Sequence, residues 1–322
     1  MIVTYSRNVF VPLTRNCRNR CAYCCFRTDE LNLMKPEEVE KLLRTARNAK
    51  EALFTFGEKP DLRDDFKKEL RKLGYKNFLD YIVDMNFLAI KNGLLPHTNA
   101  GVLSKEELKK LKPFNASMGL MLEQAVELEC HAESPGKRPE LRINTIRCAG
   151  KLQIPFTTGI LIGIGEKTYD REYSIEVILE IHKNYGHIQE VIIQNFMPKK
   201  GTKMENWKPV SEEEMVDVVK FARKILPKDV AIQVPPNLVK DLEIFLRAGA
   251  NDVGGISDVT PDYINPEAPW PSIDLIVSKL KDFVFMERLP IYPKFVKLKW
   301  YSEIVGGLIE KYSNADGYAR SL

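Results

Sequence analysis

The chain of 322 residues alternates short apolar runs with segments of helical periodicity over most of its length. Val39, Leu42, Leu43 and Ala46, at positions i, i+3, i+4 and i+7, illustrate one amphipathic helix. Strands that alternate with helices build a parallel sheet, so the fold class is predicted to be α/β. The strands are predicted at 8–13, 52–56, 94–98, 116–122, 155–164, 190–196 and 230–234, with a short eighth strand at 251–253.

Eight β/α units, or close to eight, predict a single (β/α)-barrel of the TIM-like type, fully or nearly closed. An open doubly wound sheet is the alternative, but it usually carries G-x-G-x-x-G after its first strand, and this chain does not. We expect the barrel to span 1–265 and the segment 266–322, rich in Pro, Trp and Tyr, to pack over it as a C-terminal extension. Chemistry in such barrels lies at the carboxyl ends of the strands.

The ends of several helices carry their own signals. Ser104 and Ser211, each followed by Glu at the third position, are typical of capping boxes and predict helix starts. Gly93, Gly150 and Gly249 are expected where helices end.

Composition narrows the classes of partner. The formal net charge of +4 comes from 48 basic and 44 acidic residues dispersed along the chain, so no nucleic-acid partner is expected. The local basic cluster of Lys199, Lys200 and Lys203 is interpreted as a solvated surface loop. No apolar run approaches the ~18 residues of a membrane span, and the chain opens without a leader pattern. We therefore expect no membrane partner and a cytoplasmic location.

Four of the six cysteines are crowded together directly after the first predicted strand. Cys17, Cys21 and Cys24 form C-x-x-x-C-x-x-C, and thiolates so close together require a compensating cation. Arg18 and Arg20 add positive charge beside them. Three cysteine ligands leave one iron of a [4Fe-4S] cluster open to a further ligand, whereas clusters that only carry electrons generally have four. The motif therefore predicts a [4Fe-4S] cluster with one open iron.

Three other interpretations of these cysteines stay open. Structural zinc normally has four ligands in two pairs, and no second C-x-x-C or H-x-x-x-H completes such a set. A buried cysteine stripe on one helix face is a second interpretation, although Arg15, Arg18 and Arg20 suit a core helix poorly. Cys25 is a candidate fourth ligand, but adjacent side chains point apart.

With Tyr23 in the aromatic position, the cysteine motif resembles the C-x-x-x-C-x-aromatic-C of the radical S-adenosylmethionine superfamily. The resemblance implies that S-adenosylmethionine chelates the open iron and that an electron cleaves it to a 5'-deoxyadenosyl radical. That radical abstracts hydrogen from unactivated carbon, and a closed barrel protects it from solvent. The expected cofactors are a [4Fe-4S] cluster and S-adenosylmethionine, and a reducing electron donor is an expected partner.

Further positions resemble the superfamily's contacts to S-adenosylmethionine. Gly57 and Glu58 stand where the superfamily has a Gly-Gly-Glu turn whose backbone meets the methionyl amine, with Phe56 in place of the first glycine. Glu123 resembles the acidic or polar residue directed at the ribose or the methionyl group. The resemblance thus implies a cofactor site at the ends of the second and fourth strands.

Arg142 resembles the arginine that holds the methionyl carboxylate in biotin-synthase-like members, a contact that suits a guanidinium fork. Arg138 or Arg147 are the alternatives for this role. Gly163, within the segment 159–166, resembles the fifth-strand motif in which glycine lets the backbone approach adenine.

Within the superfamily, the chain resembles the branch that forms a deazaflavin, on the segments 17–21, 55–60, 95–99 and 251–257. The resemblance implies a small-molecule substrate, a tyrosine-derived adduct of 4-hydroxybenzyl and ribityl-aminouracil units. A sister radical subunit would supply this adduct and is a further candidate partner. Hydrogen abstraction, ring closure and loss of ammonia would make the protein a carbon–nitrogen lyase or synthase in deazaflavin coenzyme biosynthesis.

Six polar residues just after predicted strands can bind a uracil ring and ribityl hydroxyls. Ring closure also needs a base, and the sequence does not choose among Glu, His and Asp for it. A structural role is the alternative for a lone histidine or for a turn asparagine. These six candidate catalytic residues are His97, Asn99, Gln194, Asn195, Asn237 and Asp252.

Other functions remain as rivals at this point. A non-catalytic iron-sulfur protein that transfers electrons or binds RNA would have no open iron and would form no adenosine product. The tyrosine-cleaving sister subunit and a biotin-synthase-like radical enzyme share the cysteine spacing. A hydrolase or zinc enzyme is disfavoured because no Gly-x-Ser-x-Gly or His-Glu-x-x-His occurs.

Overall fold

Eight parallel strands close into a barrel in the computed structural model, which describes residues 1–320. The strands follow one another around the ring in chain order, and the first closes it by pairing 8–11 with 51–54 of the second. The predicted α/β barrel is confirmed. The strands are β1 (Ile2–Val11), β2 (Glu51–Thr55), β3 (Leu95–Asn99), β4 (Ser117–Gly119), β5 (Phe156–Ile162), β6 (Ile188–Asn195), β7 (Ala231–Gln233) and β8 (Asp252–Ile256).

Helices between the strands form the outer layer of the barrel. Phe54, Ile160 and Val191 are fully buried members of the continuous apolar core that joins the strands to these helices. Among the described residues, no helix is both long and apolar enough to cross a membrane. The helices of this layer are α1 (Pro36–Leu43), α2 (Asp64–Lys72), α3 (Phe78–Lys91), α4 (Lys105–Leu111), α5 (Pro139–Lys151), α6 (Thr168–Tyr185), α7 (Glu212–Ile225) and α8 (Leu242–Ala248).

The predicted helix boundaries hold where a capping group is local. Ser104 and Ser211 begin α4 and α7, and each hydroxyl accepts a backbone N–H of the third helical residue, at 3.2 and 3.1 Å. Gly249 ends α8 in the left-handed region, at φ 117°. The prediction for Gly150 is wrong, because this glycine lies inside α5. A Cβ there would lie 2.6 Å from the Tyr185 ring, so the glycine serves close packing.

The first strand is longer than predicted. It begins at Ile2 rather than at residue 8, and its amino-terminal half pairs with β8 on one side. On the other side, below β2, residues 2–5 pair with a ninth parallel strand, β9 (Val284–Glu287). Neither partner is visible in the local periodicity of 2–7, which is why the sequence placed the start too late.

The carboxyl-terminal segment closes the amino-terminal end of the barrel. Beyond β9, Leu289 and Ile291 are fully buried in a second apolar cluster with Leu95 and Ala116, which stand at the starts of β3 and β4. The boundary at 265 stays a prediction, and residues 321–322 lie outside the described residues. The segment also contributes the helices α9 (Ile273–Lys279), α10 (Pro293–Lys297) and α11 (Glu303–Tyr312).

Candidate active site

A cavity of about 400 Å³ occupies the interior of the barrel. This volume is in the range of small-molecule sites. The cavity has two ends of different chemistry, which we call the cysteine end and the floor. The cysteine end contains Cys17, Cys21 and Cys24, and the floor contains Ser6, Asn8, Glu51, Glu190 and Arg288.

The loop after β1 is held against the carboxyl end of β2. The Gly57 N–H donates to Thr14 O at 2.9 Å. Cys17 Sγ accepts hydrogen bonds from the backbone N–H groups of Asn19, at 3.4 Å, and Glu58, at 3.2 Å. These contacts place the first cysteine of the motif beside the turn that follows β2.

The cysteine set fits a four-iron cluster. Cys17, Cys21 and Cys24 are free thiols that line one cavity. Burial raises the pKa of the Cys17 and Cys24 thiols, so their thiolates need the positive charge of a metal centre. Among residues 1–320, no three Cys, His, Asp or Glu side chains lie close enough together to hold one metal ion. A cluster does not need that arrangement, because its three cysteines bind three different irons.

Two neighbours of the cysteine ligands occupy different places. Tyr23 lines the cavity, and its hydroxyl shares a 3.0 Å hydrogen bond with His131 Nε2. Cys25 does not line the cavity, and its thiol donates to Ile264 O at 3.7 Å. The geometry therefore separates Cys25 from the other three cysteines.

The Gly57–Glu58 turn requires a glycine for steric reasons. A Cβ on Gly57 would lie 1.9 Å from Asn16 O, so only glycine allows this approach of the two loops. The buried Glu58 carboxylate accepts hydrogen bonds from Arg18 Nε at 2.6 Å and from the Val102 N–H at 3.0 Å. Both carboxylate oxygens are therefore used within the protein, and Gly57 and Glu58 both line the cavity.

Glu123 stands at the centre of a buried ionic group at the cysteine end. Its carboxylate is paired with the Lys137 ammonium and lies 3.7 Å from the Arg142 guanidinium. Burial acts to raise the pKa of Glu123, but the two cations outweigh it and lower that pKa below its ordinary value. The Arg142 guanidinium also donates to Met121 O at 2.6 Å and to Gly136 O at 3.0 Å, which fixes its orientation.

Lys137 was missed by the sequence analysis. It ends a short 3₁₀ helix, Pro135–Lys137, whose position between β4 and α5 carries no periodic signal. The alternatives to Arg142 lie elsewhere. Arg147 is half exposed and lies 3.8 Å from Glu180, and Arg138 caps the start of α5; neither lines the cavity.

Gly163 does not line the cavity, and its contact with adenine stays a prediction. It has φ 92°, and its N–H donates to Glu166 Oε1 at 2.6 Å, so glycine is required there by a turn. Leu161, two residues earlier on β5, faces the cavity instead.

Four of the six candidate substrate residues line the cavity together: His97, Asn99, Gln194 and Asn195. They lie within the last residues of β3 and β6 rather than after them. His97 Nδ1 is 2.7 Å from Ser117 Oγ, and burial lowers the pKa of His97 to about 4, so this imidazole is neutral. The Asn195 side-chain oxygen is buried without a hydrogen-bond partner among the described residues.

The other two candidates are elsewhere, which corrects their predicted position. Asp252 is the first residue of β8, not a residue after it, and it accepts hydrogen bonds from Arg288 Nε at 2.7 Å and NH2 at 3.0 Å. Asn237 follows β7 but donates to Asp262 Oδ2 at 3.0 Å and to Ala268 O at 2.9 Å. Neither lines the cavity. Asp252 was misplaced because β8 begins at this residue rather than ending near it. Asn237 is held instead by the loop after β8, through Asp262 and Ala268.

Three charged residues of the floor were not singled out from the sequence. Glu51 and Glu190 begin or nearly begin β2 and β6, and Arg288 follows β9. Arg288 NH2 lies 3.2 Å from Glu190 Oε1, and Ser6 Oγ donates to Glu51 Oε2 at 2.6 Å. Glu51 is the first residue of β2, which was predicted to begin one residue later. Arg288 lies in the carboxyl-terminal extension, which was expected only to pack over the barrel.

Lys199 also corrects the interpretation of the basic cluster as a solvated loop. It is buried and lines the cavity, with its ammonium donating to Asn265 Oδ1 at 2.8 Å and to Glu267 Oε1 at 2.5 Å. Lys200 and Lys203 are exposed, as expected of a surface loop. A lysine-rich run does not reveal which member turns inward.

Comparisons with known proteins agree with this site. The sequence profile described as Radical SAM superfamily matches residues 11–178, which include the cysteine loop. The FeFe-hydrogenase maturase HydG from Carboxydothermus hydrogenoformans superposes with a TM-score of 0.70 at 18% identity, over 97% of this chain and 78% of that chain. The chain therefore belongs to the radical S-adenosylmethionine superfamily, whose cofactors are a [4Fe-4S] cluster and S-adenosylmethionine.

Two relatives define the family more narrowly. The 7,8-didemethyl-8-hydroxy-5-deazariboflavin synthase of Archaeoglobus fulgidus is 68% identical over 321 residues, 99% of each chain. The synthase of the same name from Methanosarcina barkeri is 54% identical over 324 residues, again 99% of each chain. Within the superfamily, this chain belongs to the family of the 7,8-didemethyl-8-hydroxy-5-deazariboflavin synthases.

Proposed function

We propose that the chain forms 7,8-didemethyl-8-hydroxy-5-deazariboflavin from an adduct of 4-hydroxybenzyl and ribityl-aminouracil units. The reaction combines abstraction of a hydrogen atom, ring closure, release of ammonia and loss of one further electron and proton from the substrate radical, so that S-adenosylmethionine, split into methionine and 5'-deoxyadenosine, would be the net oxidant. Release of ammonia makes the enzyme a carbon–nitrogen lyase. The observation that carries the proposal is full-length similarity to synthases of this name, together with a closed cavity that has the three cysteines at one end.

The residues at the cysteine end are suited to hold both cofactors. Cys17, Cys21 and Cys24 would hold the cluster, and the backbone of the Gly57–Glu58 turn would meet the methionyl amine. Arg142, already fixed by two backbone carbonyls, would hold the methionyl carboxylate. When bound, the cluster and S-adenosylmethionine supply a 5'-deoxyadenosyl radical that takes a hydrogen atom from the substrate.

The chain's own residues would position the adduct and exclude water. The barrel wall and the segment beyond β9 close the cavity on every side except the carboxyl end of the strands. Asn99, Gln194 and Asn195 offer donors and acceptors for a uracil ring. His97 is neutral, and its Nε2, 3.2 Å from Asn99 Oδ1, would offer a hydrogen bond to the substrate.

The proposal includes two partners and a compartment. A sister radical subunit would supply the adduct, and a reducing protein would supply electrons. A reducing cytoplasm suits a site that must keep three ligand cysteines out of disulfides.

Mass spectrometry of products tests the proposal and its nearest rivals together. The anaerobically reconstituted protein is incubated with S-adenosylmethionine, a reductant and one of three substrates: tyrosine, the ribityl-diaminouracil, or the preformed adduct. We expect deazaflavin, ammonia and 5'-deoxyadenosine from the adduct alone. Cleavage of tyrosine would instead assign the chain to the sister activity, and the absence of any adenosine product would favour an electron-transfer protein.

A further inference from the structure

The floor of the cavity is a polar surface that the reaction at the cysteine end does not use. It is assembled from β1, β2, β6 and the residue after β9, and it lines the same cavity as the three cysteines. Glu51 is the first residue of β2, and Glu190 is the third residue of β6. The floor therefore lies at the opposite end of the barrel from the loop that carries the cysteines.

Two groups of the floor have hydrogen-bonding capacity left over. Asn8 is 2% exposed, and its side-chain Nδ2 has no hydrogen-bond partner among the described residues. Gly255 makes room for this amide, because a Cβ there would lie 2.2 Å from Asn8 Nδ2. Glu51 accepts one hydrogen bond, from Ser6 Oγ, and its other oxygen accepts none from residues 1–320. An unpaired buried donor is costly, so a ligand that satisfies it gains affinity.

The carboxyl and guanidinium groups of the floor indicate which class of ligand can bind there. The Arg288 guanidinium pairs with Glu190 and with Asp252, which itself does not line the cavity, and Glu51 has no ion pair among the described residues. Asp252 takes two hydrogen bonds from that guanidinium, and Glu190 takes one. The floor thus has more acceptors than donors, which disfavours an anionic ligand and favours a neutral group rich in hydroxyls.

We propose that Asn8, Glu51 and Glu190 form a subsite that binds the hydroxyl groups of the substrate's ribityl chain. The inference rests on the proposed function, because that function supplies a substrate with a polyol at one end. The carbon that loses hydrogen must lie beside the cofactors at the cysteine end, so the ribityl chain extends toward the floor. In dinucleotide-binding sites, an Asp or Glu carboxylate likewise accepts a hydrogen bond from a ribose hydroxyl.

Binding of two small ligands to the full chain, loaded with its cluster, tests the subsite. One ligand is a ribityl-aminouracil, and the other carries a methyl group in place of the ribityl chain. Isothermal titration with Asn8→Ala and Glu51→Gln should give a Kd about 10- to 100-fold higher for the ribityl compound. The same variants should change the Kd of the methyl compound less than about threefold.

Glu287→Gln is the matched control. Glu287 lies close by on β9 and pairs with Lys50 Nζ at 2.6 Å, but it does not line the cavity. This variant should bind both ligands as the unaltered chain does. Turnover of the adduct gives a second measurement, in which Asn8→Ala should raise KM with little change in kcat.

The outcomes separate the subsite from the proposed function. Equal weakening of both ligands, or no weakening of either, would refute the subsite even if the adduct is converted to deazaflavin. Selective loss of ribityl binding would support the subsite, and it would do so even if the unaltered chain fails to convert the adduct. That failure would overturn the proposed function alone.

Discussion

The two ends of the cavity differ in their balance of acidic and basic groups. At the cysteine end, Arg18, Lys137 and Arg142 surround the carboxylates of Glu58 and Glu123, so cations are in excess. At the floor, one guanidinium, of Arg288, pairs with the carboxyl groups of Glu190 and of the adjoining Asp252, and Glu51 has no ion pair among the described residues. An excess of cations suits an anionic cluster and the carboxylate of a sulfonium cofactor. The floor instead suits a neutral ligand with many donors.

The difference also shows how each end depends on the rest of the fold. The cysteine ligands lie in one loop, which needs the end of β2 only as a support. The floor brings together residues far apart in the chain, as in the pairs Ser6 with Glu51 and Glu190 with Arg288. Changes at the cysteine end should therefore affect cofactor binding, whereas changes at the floor should affect stability and substrate affinity.

The largest effect is expected at the cysteine ligands. Cys17→Ala should lose the cluster and reduce formation of 5'-deoxyadenosine to background, because two cysteines do not hold a four-iron cluster with one open iron. Iron content and adenosine product measure both effects. Cys25→Ala is the control, because this thiol lies outside the cavity. Equal loss of iron in both variants would contradict the conclusion that Cys25 is not a cluster ligand.

The next largest effect should be a loss of stability when the guanidinium of the floor is removed. Arg288→Met leaves the buried carboxylate of Asp252 unpaired and should lower the free energy of unfolding by about 3–5 kcal/mol. Arg247→Met removes an exposed arginine that pairs with Glu243, and it should change the free energy of unfolding far less than Arg288→Met does. Denaturant titration measures the free energy of unfolding of both variants. Equal free energies for Arg288→Met and Arg247→Met would show that the ion pairs of the floor do not stabilise the fold more than an exposed pair does.

Loss of the lysine at the cysteine end should weaken cofactor binding. Lys137→Met removes the ammonium that neutralises buried Glu123, and we expect the Kd for S-adenosylmethionine to rise about 10- to 100-fold. Iron content should stay unchanged. Lys203→Met, which removes an exposed ion pair with Glu133, is the control. Unaltered affinity in Lys137→Met would exclude this ionic group from the cofactor site.

The last effect concerns the pH dependence of stability. Burial raises the pKa of Glu190 to about 7, although the Arg288 guanidinium opposes this rise. The folded chain therefore retains a proton that the unfolded chain loses above its ordinary pKa of about 4.3. This group lowers stability as pH rises from about 4.3 to 7, by about 1.4 kcal/mol for each pH unit, and adds no further change above 7.

Glu190→Gln should abolish this contribution. The difference in unfolding free energy between the variant and the unaltered chain should grow in favour of the variant across that pH window, as measured by urea titration at several pH values. A difference that stays constant with pH would show that folding does not raise the pKa of this carboxyl.

Much of the barrel could be predicted, because strand and helix periods and capping boxes such as that of Ser104 are local in the sequence. The cysteine motif could be predicted for the same reason. Asp252 and Gly150 were misplaced because their roles depend on partners elsewhere in the chain, Arg288 and Tyr185. Lys199 turned inward because Asn265 and Glu267 meet it, and no pattern near residue 199 indicates those partners.

The most direct test of the account is the response of the reduced cluster to S-adenosylmethionine. We expect that adding this ligand to the anaerobically reconstituted protein changes the electron paramagnetic resonance signal of the cluster and yields 5'-deoxyadenosine. A signal that is the same with and without the ligand, or a preparation that binds zinc instead of iron, would contradict a site with one open iron.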